Sequence, residues 1–292
     1  MNNSYVPRYM TFIIGQGASK YGSDDFTEFV TLSGHRASAS ITEWGGETQG
    51  AATVKIYGMN ESLMNKLTTV GYNFSQLIGK NSLQIKAGTD PKALTTVYRG
   101  SIMTAFADYN SAPDVAFEIR AVEAALVAMS LPDATSIQGV VSVDSLMRRW
   151  ADLIGYGYLN VDVDIVINNP TFNGSYLDQI HRCAAAYNID VSTSDYTVMI
   201  KQKTSAYPTV AELSPSTGMV GYPIFSSTFM SVKSLFLPLA KLGGQLKIKD
   251  SSILAVNGTW LINTVQHELE TLTPNGKWFT TCMVTRPSAG VT

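Results

Sequence analysis

A strand-and-hairpin pattern occurs twice in this chain, once after residue 80 and again after residue 240. Each copy is a half-buried strand followed by a long hairpin, and each hairpin tip carries proline with Asp or Asn, residues that set turn dihedral angles at low cost. The repeat predicts one barrel-forming unit used two times, so three chains in a ring would present six similar units to a sixfold partner. The first copy covers residues 83–86, 100–103 and 113–120, and the second covers 246–249, 258–262 and 274–283.

Low charge and abundant Gly, Tyr, Ser and Thr are typical of a β-rich protein with a weakly charged surface. Charged residues make up 15% of the 292 residues, and the formal net charge is -2 at pH 7. This balance excludes a strongly basic nucleic-acid binder and favours a protein that works within an assembly. Residues 1–10 are polar, and no apolar run approaches the ~20 residues of a membrane span, so we expect a cytosolic product with no membrane partner.

The periodicity of apolar residues predicts a mainly β chain with an α+β insert. Residues 1–128 indicate a first β-barrel or sandwich domain, with a short helix over Asn60–Val70 that Asn60 caps. Residues 139–204 indicate the small α+β domain. Strand patterns separated by Gly-Gly and Asn-Gly turns return over 205–292 and predict a second β-barrel domain.

Two helices are expected within the insert. Ser142 or Asp144 can cap the first, and Gly155 ends it. An alternation of apolar and polar residues then predicts a strand over 161–167, and the second helix begins near Ser175.

A hairpin over Arg36–Tyr57 has the alternation of a sheet with one core face and one wet face. If Trp44 pairs with Glu47 at the turn, Arg36 lies opposite Lys55, and two facing cations need an anionic neighbour. The face predicted to be buried contains Ala37, Ala39, Ile41, Ala52 and Val54. The face predicted to be polar contains Arg36, Ser38, Ser40, Thr42, Gln49, Thr53 and Lys55.

Residues that carry chemistry do not form a recognisable site in the sequence. His35, His181 and His267 are far apart and belong to no metal-binding motif. Cys183 and Cys282 lack the charged neighbours that lower a thiol pKa, so both are interpreted as small buried apolar residues. Phosphate-binding loops and serine nucleophile elbows are also missing from the sequence. We therefore predict no catalytic residue, no metal and no cofactor.

Short motifs of Gly, Pro and Trp are distributed over most of the chain. The C-terminal motifs are 216–223, 235–238, 243–244, 258–260 with His267, and 276–281. The N-terminal motifs are 34–36, 56–58, 108–109 and 113–114. With these motifs the chain resembles the baseplate hub proteins of long-tailed bacteriophages, a family that is similar to tail-tube proteins duplicated within one chain. The middle insert matches that family only in layout.

The resemblance implies a structural virion protein with two tube-protein-like domains flanking the insert. Three copies are expected to form a ring at the tail tip, where the hub joins the sixfold tail tube to the threefold spike and forms part of the DNA channel. Expected partners are further copies of the chain, the tail tube or a distal tail protein, the spike protein, the C-terminus of the tape measure, baseplate wedge proteins, and DNA in transit. The expected location is the virion baseplate, after assembly in the host cytoplasm.

Two alternatives stay open beside this interpretation. The first is the hub of a genome-free contractile particle, a tailocin. The hub protein would be the same in a phage and in a tailocin, so the sequence does not separate them. The second is a cell-wall hydrolase of the tail tip, which is less favoured because no domain with catalytic spacing is present in the sequence.

The resemblance also assigns an expected place to the polar hairpin face. We expect that face to line the lumen of the ring, with a solvent-exposed face on the ring exterior as the alternative. For Arg36 and Lys55, the expected anionic neighbour is a carboxylate from the adjacent barrel, in preference to passing DNA.

Overall fold

The computed structural model describes residues 6–16, 28–45, 48–69, 81–110, 112–129 and 132–287. Strands hold 48% of the chain and helices 16%, which confirms the predicted mainly β fold class. The chain divides into two compact units, whereas the three predicted domain boundaries stay a prediction. Unit 1 is drawn from Met1–Ile41, Ala51–Glu123 and His267–Trp278, and unit 2 from Thr42–Gly50, Ala124–Gln266 and Phe279–Thr292.

The elements are numbered in chain order. The strands are β1 (Tyr9–Gln16), β2 (Glu28–Ser33), β3 (Ala37–Trp44), β4 (Ala51–Tyr57), β5 (Ser82–Gly88), β6 (Thr95–Asp108), β7 (Ala116–Val122), β8 (Thr135–Ser136), β9 (Val140–Ser142), β10 (Gly157–Val161), β11 (Val166–Asn168), β12 (Thr171–Phe172), β13 (Ile189–Ser192), β14 (Thr197–Gln202), β15 (Val210–Leu213), β16 (Ile224–Phe225), β17 (Met230–Leu235), β18 (Gln245–Ile248), β19 (Gly258–Thr271) and β20 (Trp278–Thr285). The α-helices are α1 (Glu61–Leu67), α2 (Ala125–Met129), α3 (Val143–Leu153) and α4 (Tyr176–Ala186).

Unit 1 is built on a sheet with the strand order β3-β4-β7-β6-β5-β1-β2. The pairs from β4 to β2 are antiparallel, and alternate residues of β4 and β5 are buried. The hairpin face that was predicted to be buried lies in the core: Ala37, Ala39, Ile41, Ala52 and Val54 are at most 3% exposed. The alternation in the sequence therefore identified the core side of this sheet correctly.

Helix α1 packs against β6 of the same unit. Asn60 caps it as predicted, because its side-chain oxygen accepts from the backbone N–H of Leu63 at 2.8 Å. The helix ends at Leu67, three residues before the predicted end, and Val70 lies outside the described residues. After the helix, Thr69 continues toward β6 and exchanges hydrogen bonds with the backbone of Ala105, at 2.9 Å and 2.7 Å.

Both copies of the sequence repeat adopt the same strand order. In the first copy β5, β6 and β7 are antiparallel neighbours, and β4 pairs with the free side of β7. In the second copy β18, β19 and β20 are neighbours, and β17 pairs antiparallel with β20. The duplication in sequence is therefore a duplication in strand topology.

Helices α3 and α4 of unit 2 begin at predicted caps, and α3 ends before Gly155 as predicted. Ser142, rather than Asp144, caps α3, and Gly155 follows its end with a φ of +74°. Ser175 caps α4 in a reciprocal pair of hydrogen bonds with Asp178. Both helices pack their apolar faces into one core, around the fully buried Trp150.

The strand predicted over 161–167 is wrong. Strand β10 ends at Val161 and pairs in parallel with β14, whereas β11 begins at Val166 and pairs with β9. Between them Asp162 has a φ of +58°, and the Asn160 side chain bonds both the N–H and the C=O of Val163. These local bonds turn the chain, and residues on the two sides of the turn join different sheets.

Replacing Trp150 by Ala is expected to lower the free energy of unfolding by about 3–5 kcal/mol, because a fully buried ring is lost and a cavity is left. The ring meets Phe172 edge-on at 5.4 Å, and its Nε1–H donates to Thr135 Oγ1 at 3.0 Å. Urea denaturation followed by circular dichroism measures the change. Leu153→Ala on the same helix is the matched control, since Leu153 is 53% exposed. Equal losses in the two variants would contradict this core assignment.

Candidate functional site

The polar face of the β3–β4 hairpin is the candidate site that the sequence identified. In unit 1 it presents Arg36, Ser38, Ser40, Thr53 and Lys55, all exposed or half-buried. The other two predicted members, Thr42 and Gln49, belong to unit 2. The structure thus brings five of the seven side chains to one surface within a single unit.

The predicted register of this hairpin is wrong by two residues. The backbone N–H of Tyr57 donates to the carbonyl of Arg36 at 2.9 Å, so Arg36 lies opposite Tyr57 and not Lys55. Glu47, the other end of the predicted turn, lies outside the described residues, and the N–H of Gly45 donates to the carbonyl of Asn263 at 3.0 Å. A shift of two residues leaves every side chain on its original face, so the polar face is retained while its cross-strand pairs change.

Each predicted cation of the face has a carboxylate partner in unit 1. Arg36 forms an ion pair with Asp114 at 3.0 Å and stacks over the Tyr57 ring at 4.1 Å. Lys55 lies directly opposite Glu118 of β7 and forms an ion pair with it. The expected carboxylate from an adjacent barrel is therefore not required, because strand β7 supplies one beside Lys55.

Strand β7 extends the polar face beyond the residues that the sequence identified. Arg120 is exposed and lies between Thr53 of β4 and Thr104 of β6. No described residue pairs with its guanidinium, so the surface keeps positive charge at this point. The alternation of Glu118 and Arg120 on one strand was the signal in the sequence that could have added both residues to the face.

The hydrogen bond from Lys55 to Glu118 raises the pKa of the Lys55 ammonium above its ordinary value. Glu118 is itself largely buried, with 11% of its side chain exposed, whereas Lys55 keeps 42%. The pair thus fixes the charged end of Lys55 beside the small hydroxyl side chains of this face.

Nucleophilic and metal-binding side chains stay dispersed in the structure. Cys183 and Cys282 are unbridged and buried, and burial raises the pKa of both thiols to about 12. His35 bonds the carbonyl of Tyr57 through Nδ1 at 3.0 Å, and His267 is buried in β19. Across the described ranges no three potential metal ligands come together, and no helix is both long and apolar enough to cross a membrane.

Comparison with protein families gives a match over most of the chain. The family model described as baseplate hub gp41 matches residues 21–281. None of the curated proteins matches the chain in sequence.

Solved structures of tail proteins share the fold at low sequence identity. The tail protein from Neisseria meningitidis MC58 has a TM-score of 0.64 and 8% identity, over 98% of this chain and 100% of that one. The 43 kDa tail protein of prophage MuSo2 from Shewanella oneidensis has a TM-score of 0.61 and 11% identity, over 94% and 96%. The E. coli c3393 protein, a type VI secretion component described as similar to the T4 tail proteins gp27 and gp5, has a TM-score of 0.62 and 12% identity, over 88% and 74%. At these identities the likeness establishes the fold alone.

Glu118→Gln is expected to lower the melting temperature, and the loss should shrink as the pH rises above the ordinary lysine pKa of 10.5. The pKa of Lys55 is raised in the folded state. The contribution of the pair is therefore fully present below the unfolded pKa and disappears as the pH passes the folded one. Thermal unfolding of both proteins across alkaline pH measures the difference.

The matched control for this experiment is Glu268→Gln. Its partner Lys277 also has a raised pKa but is fully exposed, so solvent screening should leave a smaller loss. A loss for Glu118→Gln that is independent of pH would show that the charge of Lys55 is not what Glu118 stabilises.

Proposed function

The chain belongs to the baseplate hub gp41 family and is a structural protein of a phage tail, and from that premise we propose that three copies close a ring around the DNA channel at the tail tip. The observation that carries the proposal is the duplicated strand order, β4-β7-β6-β5 and β17-β20-β19-β18. Two similar sheets per chain give six in a ring of three, which is what a junction between sixfold and threefold parts requires.

Exposed apolar side chains on unit 2 support burial in an assembly. Strand β16 pairs only with β17 among the described strands, so its other edge has unpaired backbone groups. Large apolar residues on and beside these two strands are exposed: Tyr222, Ile224, Phe225, Leu235 and Leu239. We assign this surface, the β16 edge, to contact with a second copy of the chain.

The polar face of unit 1 suits the wall of a channel that DNA passes without being held. Ser38, Ser40 and Thr53 are small, and the charges of Arg36 and Lys55 are neutralised by carboxylates of the same unit. Tight binding to DNA needs many cations that contact phosphates. A wall with few unpaired cations therefore limits friction during ejection.

The remaining partners follow from the position of a hub. We propose contact with the tail tube or a distal tail protein on one side and the spike on the other, with the tape measure C-terminus and the wedge proteins nearby. Assembly would take place in the host cytoplasm. The ring has no catalytic step in this proposal, and the same hub would serve a genome-free particle.

Three copies of the chain are expected at the tail tip. Cryo-electron microscopy of the intact particle counts them directly, and two or six copies would overturn the trimer.

Phe225→Ser should reduce incorporation of the chain into tails, because it removes an exposed apolar group from the β16 edge.

The matched control for that variant is Leu254→Ser. Leu254 is also exposed in unit 2 but lies away from β16 and β17 in the chain, so its loss should leave incorporation unchanged. Equal incorporation of the two variants would remove the β16 edge from the proposed interface.

Ser40→Cys is expected to react with maleimide-polyethylene glycol in the purified chain and to be protected in assembled tails. Ser40 is exposed on the polar face, and a lumen-facing thiol would be closed to a large reagent. Cys183 and Cys282 give a low background, because both are buried with a raised pKa. A gel shift measures the modification, and labelling of intact tails would place this face on the ring exterior.

A further inference from the structure

A cleft of about 390 Å³ lies entirely within unit 2, and none of its lining residues belongs to the polar face described above. This volume falls within the roughly 300–1,000 Å³ that is typical of small-ligand sites. Its walls combine polar side chains of β13 and β14 with aromatic rings and the backbone of β19. The side chains used in the argument below are Trp44, Asp190, Ser192, Lys201 and Tyr207.

A buried lysine is the main charged group of the cleft. Lys201 is 2% exposed and forms an ion pair with Asp190 at 2.7 Å, directly across the β13–β14 ladder. Asp190 keeps 41% of its side chain exposed. Among the described residues the Lys201 ammonium has no other acceptor, so two of its three N–H groups are left for a ligand or solvent.

A second polar group in the cleft has no partner at all. Ser192 is 7% exposed, and its hydroxyl makes no hydrogen bond to a described residue. Ser192 lies two residues after Asp190 on β13, so both side chains point to the same face as Lys201. A buried hydroxyl that lacks a partner is costly, which makes it an informative feature of a binding site.

Tyr207 forms an apolar wall of the cleft and is held on two sides. Its hydroxyl donates to the carbonyl of Met199 at 2.8 Å, and burial raises its pKa. Gly243 packs against the ring so closely that a Cβ added to Gly243 would lie 2.4 Å from the Tyr207 ring carbons. The phenol is therefore fixed and contributes its apolar ring, while its polar group is already used.

The charges of the cleft favour a neutral ligand that both donates and accepts hydrogen bonds. Asp190 compensates the charge of Lys201, so an added carboxylate would meet repulsion as well as attraction. A purely apolar ligand would leave the Ser192 hydroxyl and two N–H groups of the Lys201 ammonium without partners. Neighbouring hydroxyl groups of one ligand could accept from Lys201 and Ser192 while donating to Asp190.

The aromatic and backbone groups of the cleft walls further restrict the class of ligand. Trp44 is 39% exposed beside the cleft and offers a flat surface for the C–H face of a ring. Backbone groups of the walls are already bonded within the chain, Gly45 N–H to Asn263 and Gly243 N–H to Ile262. A peptide added as a strand would need such groups unpaired. We propose that this cleft binds one sugar residue of a glycan.

Titration of the purified chain with methyl glycosides of glucose, galactose, mannose, rhamnose and N-acetylglucosamine tests the proposal. The indole N–H signal of Trp44, assigned with Trp44→Phe, is followed by NMR. We expect saturable shifts with at least one glycoside. Ser192→Ala should weaken binding roughly fivefold, since it removes one hydrogen bond, and Trp44→Ala roughly tenfold. Because Trp44→Ala lacks the indole signal, the affinities of the variants and of the unmodified chain are compared by isothermal titration calorimetry.

Ser33→Ala is the control, because Ser33 is exposed on β2 of unit 1 and should leave the affinity unchanged. Tighter binding of a methyl glycoside than of the free sugar indicates a residue within a glycan, and the reverse order overturns the glycan assignment. The proposal is overturned if no glycoside binds, or if both cleft variants bind as tightly as the unmodified chain. It is also overturned if benzoate or acetyl-Gly-Gly-amide binds more tightly than every glycoside. None of these outcomes depends on the trimer.

Discussion

The two-residue period of paired β-strands is the constraint on which the rest of this structure depends. Because successive side chains point to opposite faces, the β3–β4 hairpin keeps Ala39 and Ile41 in the core and Ser38 and Ser40 outside, even though its register differs from the predicted one by two residues. A shift of one residue would have buried the serines and exposed the isoleucine. The same rule places Asp190, Ser192 and Lys201 in one cleft of unit 2.

Cross-strand pairs of lysine with a carboxylate occur in both units and have different consequences. Lys55 faces Glu118 at the surface of unit 1, and its side chain stays 42% exposed. Lys201 faces Asp190 in unit 2, but its side chain is only 3% exposed. Solvent reaches the Lys55 ammonium, so the first pair neutralises charge on the polar face and contributes modestly to stability. Burial leaves the second ammonium with two N–H groups that bond no described residue, and on this difference the proposed ligand site depends.

One strand order is present twice within this chain. Strand β4 in the first copy and β17 in the second occupy the same place relative to the following three strands. The α+β insert adds a separate core around Trp150, which does not take part in that repeat.

The sequence by itself determined the features whose partners lie within a few residues along the chain. These are the face of each strand, the caps at Asn60, Ser142 and Ser175, and the repeat of strands. Tertiary structure decided the rest. It set the register of the β3–β4 hairpin, placed Glu118 beside Lys55, and paired the two ends of the predicted strand over 161–167 with different strands. The physical reason is that pairing between strands depends on groups far apart in the chain, whose meeting no local pattern encodes.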